Sequence, residues 1–172
     1  MSQYNVAIVG ATGLVGETLL SLLEDREFPV SSLIPIASER SQNKHVQFKG
    51  QNINIQVLND FNFTGVDFAF FSAGALVSEQ FAPIAAKAGA IVIDNTSQFR
   101  YQDHIPLVIP EVNPDALINF SSTNIIANPN CSTIQMLVAL QPIHQIAKIT
   151  KINVSTYQSI SGAGRKTLDI FN

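Results

Sequence analysis

This chain of 172 residues is poor in several things. It has one cysteine. A single cysteine excludes an internal disulfide and suits a reducing, cytoplasmic setting. Charge is scarce: 13% of residues are charged, the net charge is −3 and the pI is near 5.5. A small acidic excess argues against a nucleic-acid-binding surface. No apolar run approaches the ~20 residues of a membrane-spanning helix. Met1-Ser2-Gln3-Tyr4-Asn5 has neither a basic region nor a signal-peptide core. Three scattered histidines (His45, His104, His144) and the one cysteine give no metal-ligand spacing. Neither a repeat nor a low-complexity segment is present. Apolar residues are plentiful, at 46%, with mean hydropathy +0.20. That balance suits strands covered on both faces. The length allows one domain with a good core, or one domain and the start of another.

Apolar strand-like runs alternate with helical ones at residues 5–9, 33–37, 68–71, 91–93, 107–109 and 125–127. The alternation predicts an α/β fold with a doubly wound, mostly parallel sheet. One stretch breaks it. Val46 and Phe48 alternate with polar residues, as do Ile53, Ile55 and Val57, with Lys49-Gly50-Gln51-Asn52 between them. This predicts a β-hairpin inserted after the second strand. From Lys151 to Gln158 the pattern becomes that of a half-exposed antiparallel strand. Ser159-Ile160-Ser161-Gly162-Ala163-Gly164 is a second glycine loop, and Arg165 to Asn172 reads as the start of a helix. A new domain opens here and is not completed, so the chain reads as the front part of a longer protein.

The first predicted strand runs directly into Gly10-Ala11-Thr12-Gly13-Leu14-Val15-Gly16. The glycine spacing is that of a phosphate-binding turn. Gly10 permits a tight turn, Gly13 lets backbone approach a pyrophosphate, and Gly16 lets the helix pack closely on the strand. The following helix is expected to carry Val15, Leu19, Leu22 and Leu23 on one face, with its N-terminus toward the pyrophosphate. In such folds the end of the second strand reads the adenosine ribose, here at Ser38-Glu39-Arg40-Ser41. Arg40, flanked by Ser38 and Ser41, supplies donors for a 2′-phosphate and favours NADP. Glu39 could instead accept from the ribose hydroxyls, as NAD requires. Ser72-Ala73-Gly74 and Asp94-Asn95-Thr96-Ser97 follow strands on the same edge, with Arg100 beyond them. Each cluster alone reads as loop capping, and together they mark a ligand-binding edge.

Cys131 lies in Asn128-Pro129-Asn130-Cys131-Ser132-Thr133, directly before an apolar run. Pro129 disfavours helix at the residue before it, and Asn130, Ser132 and Thr133 are capping types. The thiol is therefore expected at a helix N-terminus, where free N–H groups and the helix dipole favour an anionic sulfur. That makes it a candidate nucleophile. A buried structural cysteine is the other reading.

Taken together these segments, with Val108-Ile109-Pro110-Glu111-Val112-Asn113 and Gln158-Ser159-Ile160-Ser161-Gly162-Ala163-Gly164, resemble the aspartate-β-semialdehyde dehydrogenase family from Asn5 to about Lys166. A typical member is about twice as long. The resemblance implies a Rossmann-like NADP-binding domain over residues 1–130, followed by the beginning of an α+β catalytic and dimerisation domain over 131–172. It also implies NADPH-dependent reductive dephosphorylation of L-aspartyl-4-phosphate to L-aspartate-4-semialdehyde, on the route to lysine, threonine and methionine. By resemblance, Cys131 attacks the acyl phosphate to give a thioester, Asn130 flanks it, and Gln158 orients the substrate. Arg100 holds the phosphate. Gly10, Thr12, Gly13, Leu14, Val15, Gly16, Ser38, Arg40, Ser41, Ser72, Ala73, Gly74, Asn95, Ser161 and Gly162 line the cofactor site. A homodimer is implied for the complete protein.

Two departures touch loops only: Ala75 stands where the family usually has glycine, and Asn43-Lys44 where it often has Gly-Lys. The family's acid/base histidine and its carboxylate-binding arginine fall beyond these residues, so the chain alone is expected to be inactive or nearly so. Two alternatives remain open on the sequence. One is N-acetyl-γ-glutamyl-phosphate reductase, with the same chemistry on a longer substrate. The other is a non-catalytic nucleotide-binding paralogue.

Overall fold

A computed structural model describes residues 3–164 and residue 170. The predicted helix from Arg165 lies outside the described residues, Ile170 excepted.

In chain order the elements are β1 (Tyr4–Val9), α1 (Leu14–Asp25), β2 (Val30–Ala37), β3 (His45–Phe48), β4 (Gln51–Asn54) and β5 (Gln56–Val57). They continue with β6 (Phe68–Phe71), α2 (Ala75–Lys87), β7 (Ile91–Asp94), β8 (Ile125–Ala127) and α3 (Cys131–Ile146). Six strands form one parallel sheet in the order β5-β2-β1-β6-β7-β8. The chain leaves β1 in one direction toward β2 and later returns to β6 on the other side of β1. The first reversal of strand order therefore lies between β1 and β6, where open α/β sheets leave a ligand crevice.

β1 is the centre of the fold because it is apolar on both faces. Ala7 and Val9 pack on one side with Phe71, Ala82, Ala85 and Val92. Val6 and Ile8 pack on the other with Leu20, Leu23, Val46 and Phe48. The helix face differs from the sequence expectation. Gly16, Leu20 and Leu23 are buried, whereas Val15 and Leu22 are exposed. The cause is steric: a Cβ on Gly16 would lie 2.3 Å from the Gly10 carbonyl oxygen. Gly16 must face the strand, and the helical repeat then turns Leu20 and Leu23 inward.

The inserted hairpin is present as β3 and β4, joined by Lys49 and Gly50, both with positive φ. Such a two-residue turn matches the twist of paired strands. The Lys49 N–H donates to the Glu24 carboxylate, tying the turn to α1. The hairpin stops earlier than expected. Val57 belongs to β5, which pairs with the edge of β2. Two other expected strands do not form. Residues 107–109 make one isolated bridge, Leu107 to Ala127. The Asn113 side chain takes the Ile109 N–H at 2.8 Å and donates to the Leu107 carbonyl at 2.9 Å. Those groups are thereby lost to a ladder. Residues 151–158 are exposed and form no strand, with no partner among the described residues, and an unpaired strand is not stable alone.

Candidate active site

The turn after β1 is built by backbone. The Gly10 N–H donates to the Ile36 carbonyl at 2.8 Å and the Gly13 N–H to the Gly10 carbonyl at 2.9 Å. Gly10 has φ of +94°, and a Cβ there would come within 2.9 Å of Ser72 Oγ. The first helical bond of α1 runs from the Glu17 N–H to the Gly13 carbonyl. The N–H groups of Leu14, Val15 and Gly16 thus precede the helical ladder and point out of its end. An anion set there meets three N–H donors and the positive end of a dipole.

This turn opens into a cleft of about 1200 Å³. Gly10, Thr12, Gly13, Ser38, Arg40, Ser72 and Ala73 all line it, as the cofactor reading expects. Its wall also includes residues not anticipated, among them Val77, Gln80 and Phe81 of α2 and Lys44 to Gln47 of the hairpin region. Leu14, Val15 and Gly16 contribute only the backbone N–H groups at the head of α1, and the remaining expected cofactor residues do not line the cleft. Ser41 is buried in a 3₁₀ turn, with its N–H on the Ser38 carbonyl at 2.9 Å. Gly74 is the N-cap of α2. Asn95 lies beside the cysteine loop. Ser161 and Gly162 lie in a separate exposed 3₁₀ turn, Ile160–Ala163. The cleft and the glycine turn at its end have the shape of a dinucleotide site, with Ser38 and Arg40 lining the part away from the turn.

A second group forms beyond the ends of β7 and β8. Asp94 is fully buried. Its Oδ1 accepts from Ser78 Oγ at 2.6 Å and its Oδ2 from Thr96 Oγ1 at 2.8 Å. Both carboxylate oxygens are thereby satisfied, as burial demands. The pair of bonds ties α2 to the loop after β7. Arg100, further along that loop, donates from Nε to the Asn128 carbonyl at 3.0 Å and from Nη2 to the Asn95 carbonyl at 3.2 Å. A guanidinium has five N–H groups. Two are fixed here, which aims the remaining fork rather than letting it sweep.

Cys131 opens α3 and is exposed among the described residues. Asn130 is the N-cap: its Oδ1 accepts from the Ser132 N–H at 3.1 Å and from Ser132 Oγ at 2.6 Å. Gln158 Nε2 reaches Ser132 Oγ at 3.3 Å. Arg100, Asn130, Cys131 and Gln158 are thus joined through Asn128 and Ser132 at the head of one helix. The geometry offers an accessible thiol, a positioned anion-binding fork and an amide beside it. Among the described residues no cluster of His, Cys, Asp or Glu could hold a metal ion. No described helix is long and apolar enough to cross a membrane. Sequence reasoning missed Asn128, Asp94 as a buried anchor, and Ser78. A polar residue inside an otherwise apolar helix face was the available signal for Ser78.

The fold and these two groups define a class: a dinucleotide-binding α/β domain whose open sheet edge leads to a cysteine at a helix N-terminus. Residues 5–120 match the family model described as "Semialdehyde dehydrogenase, NAD binding domain". Over 167 residues the chain is 58% identical to "Aspartate-semialdehyde dehydrogenase 2" of Vibrio cholerae, covering 97% of this chain and 50% of that protein. Its structure matches a crystal structure of aspartate semialdehyde dehydrogenase II from Vibrio cholerae complexed with ASA, with TM-score 0.96 and 57% identity. That match covers 98% of this chain and 50% of the other. The Candida albicans aspartate semialdehyde dehydrogenase with NADP matches at TM-score 0.70 and 25% identity, covering 86% of this chain and 48% of the other. The chain belongs to the aspartate-semialdehyde dehydrogenase family, and it carries the family's Rossmann-like NAD-binding domain. It spans about half the length of the relatives it matches.

Proposed function

We propose that the complete protein bearing this chain reduces L-aspartyl-4-phosphate to L-aspartate-4-semialdehyde with NADPH, releasing phosphate, in the cytoplasm. The Arg100–Asn128 bond supports this most directly, because it ties an anion-binding fork to the loop that ends in the thiol. Arg100 binds the phosphate group of the substrate and Cys131 Sγ attacks its acyl carbon. The carbon–oxygen bond to phosphate breaks, phosphate leaves with the electron pair, and a thioester remains on Cys131. The Asn130 amide N–H and the positive end of α3 stabilise the oxygen that becomes negative during attack. Gln158, held by Ser132, orients the substrate. When bound, the nicotinamide cofactor supplies the hydride. Arg40 and Ser38 hold a 2′-phosphate, which selects NADPH over NADH.

Residues 1–130 form the cofactor domain in this reading. Residues 131–172 open a catalytic and dimerisation domain that other parts of the protein complete, and the complete protein is a homodimer. The chain alone is then inactive or nearly so. The test is steady-state kinetics on the complete protein with aspartyl phosphate and with N-acetylglutamyl phosphate. Preference for the aspartyl substrate with NADPH is expected. Preference for the longer substrate, or no turnover of either, overturns the reading.

A further inference from the structure

Asn128 is bonded on three sides to one loop. Its N–H donates to the Asp94 carbonyl at 2.8 Å. Its carbonyl accepts from Arg100 Nε at 3.0 Å. Its side-chain Nδ2 donates to Asn95 Oδ1 at 2.5 Å. The loop that receives these bonds is itself anchored, through the buried Asp94 carboxylate, to Ser78 of α2 and to Thr96. On the other side of Asn128 the link to the thiol is short and stiff. Pro129 is buried and has a fixed φ, and Asn130 is already the N-cap of α3.

We propose that Asn128 is a positioning residue: its side-chain bond to Asn95 locks the arginine-bearing loop to the cysteine-bearing loop, setting the Arg100 fork and the Cys131 thiol in fixed register. It rests on the roles proposed above for Arg100 and Cys131. The two backbone bonds do not use the Asn128 side chain. The amide-to-amide bond does, and without it the Asn128 peptide that holds Arg100 Nε loses its one side-chain restraint and can shift relative to the Asn95 loop. A displacement of about 1 Å between reacting groups costs on the order of 100-fold in rate, so a small rotation is enough to be seen. Asn95 contributes the acceptor, and its loss should have the same consequence.

The test uses the complete protein with inorganic phosphate as the probe, assayed in the oxidative direction from the semialdehyde. The variants are Asn128→Ala, the size-matched Asn128→Leu, Asn95→Ala and the double alanine variant. Each Asn128 variant is expected to raise the KM for phosphate and lower kcat, together at least tenfold in kcat/KM. The KM for NADP should stay within twofold for the Asn128 variants. The double variant should be no worse than the more damaged single variant, the non-additivity of two residues acting through one bond. A second readout is independent of turnover: alkylation of Cys131 by iodoacetamide, followed on its peptide by mass spectrometry, with phosphate as protectant. The phosphate concentration giving half protection should rise at least fivefold in the variants.

Wild-type kinetics within twofold for Asn128→Leu, additive effects in the double variant, or losses that track the fraction unfolded would each overturn the positioning role. If Asn128→Ala does not fold, Asn128→Leu and Asn95→Ala decide. If the wild-type protein shows neither turnover nor phosphate protection of Cys131, it is the proposed function that fails.

Discussion

The sheet and α3 handle apolar surface in opposite ways. In β1, Val6, Ala7, Ile8 and Val9 are all fully buried, enclosed by α1, α2 and the hairpin. In α3, sixteen residues long, none is buried, although the helix is as apolar as α1. Val138, Ile143 and Ile146 are exposed, Ile146 at 90%. A helix apolar all round is normally enclosed. The sheet region therefore owes its structure to a core within the described residues, whereas α3 is held mainly by polar bonds, most at its first turn and one from Gln141 to the Val112 carbonyl. That turn is where the bonds concentrate: Asn128, Asn130, Ser132 and Gln158 are all engaged there. The glycine turn belongs to a region with its own core, and Cys131 belongs to a region held mostly by polar bonds.

The sharpest way to break this contrast is at the thiol. Cys131→Ser should lower kcat in the complete protein by about 1000-fold or more. Because Cys131 is exposed, its unfolding midpoint should stay within about 2 °C. A large loss of stability would mean that Cys131 is structural. Gly16→Val is the reverse case, small in chemistry and large in structure. Its Cβ would collide with the Gly10 carbonyl, so it should destabilise by at least ~2 kcal/mol in denaturant titration. Cofactor binding should be lost with it. Arg100→Lys replaces a fork held by two carbonyls with a single ammonium. The KM for phosphate should rise about tenfold, while NADPH binding stays unchanged. Arg40→Ala should weaken NADPH about tenfold and NADH less than twofold, measured by calorimetry. The smallest effects compare the two regions directly. Val92→Ala, at a fully buried site, should cost about 1–3 kcal/mol. Val138→Ala, 37% exposed on α3, should cost under about 0.5 kcal/mol.

The same division governs what the residues reveal before folding. The β1 run, the Gly10-Gly13-Gly16 spacing and the parallel alternation are local patterns, and each appears in the structure where its period places it. The face of α1 is not local. It depends on how far Gly10 stands from Gly16 in space, and the leucine spacing alone points to Val15 and Leu22 instead of Leu20. Residues 107–109 and 151–158 have strand composition, but pairing depends on a neighbour: Asn113 occupies the first segment's backbone groups, and no described strand meets the second. Cys131 at a helix start is legible from Pro129 and Asn130. The Ser78–Asp94 and Asn95–Asn128 side-chain bonds join residues 16 and 33 positions apart, and no spacing rule exposes such bonds.

The measurement that tests the central claim most directly is calorimetric titration of NADPH and NADH into the wild-type protein, alongside the folded Arg40→Ala variant. The account predicts NADPH binding to the wild type with a stoichiometry of about one per chain, weaker NADH binding, and loss of the difference in the variant. Failure of a demonstrably folded wild-type protein to bind either nucleotide would contradict it.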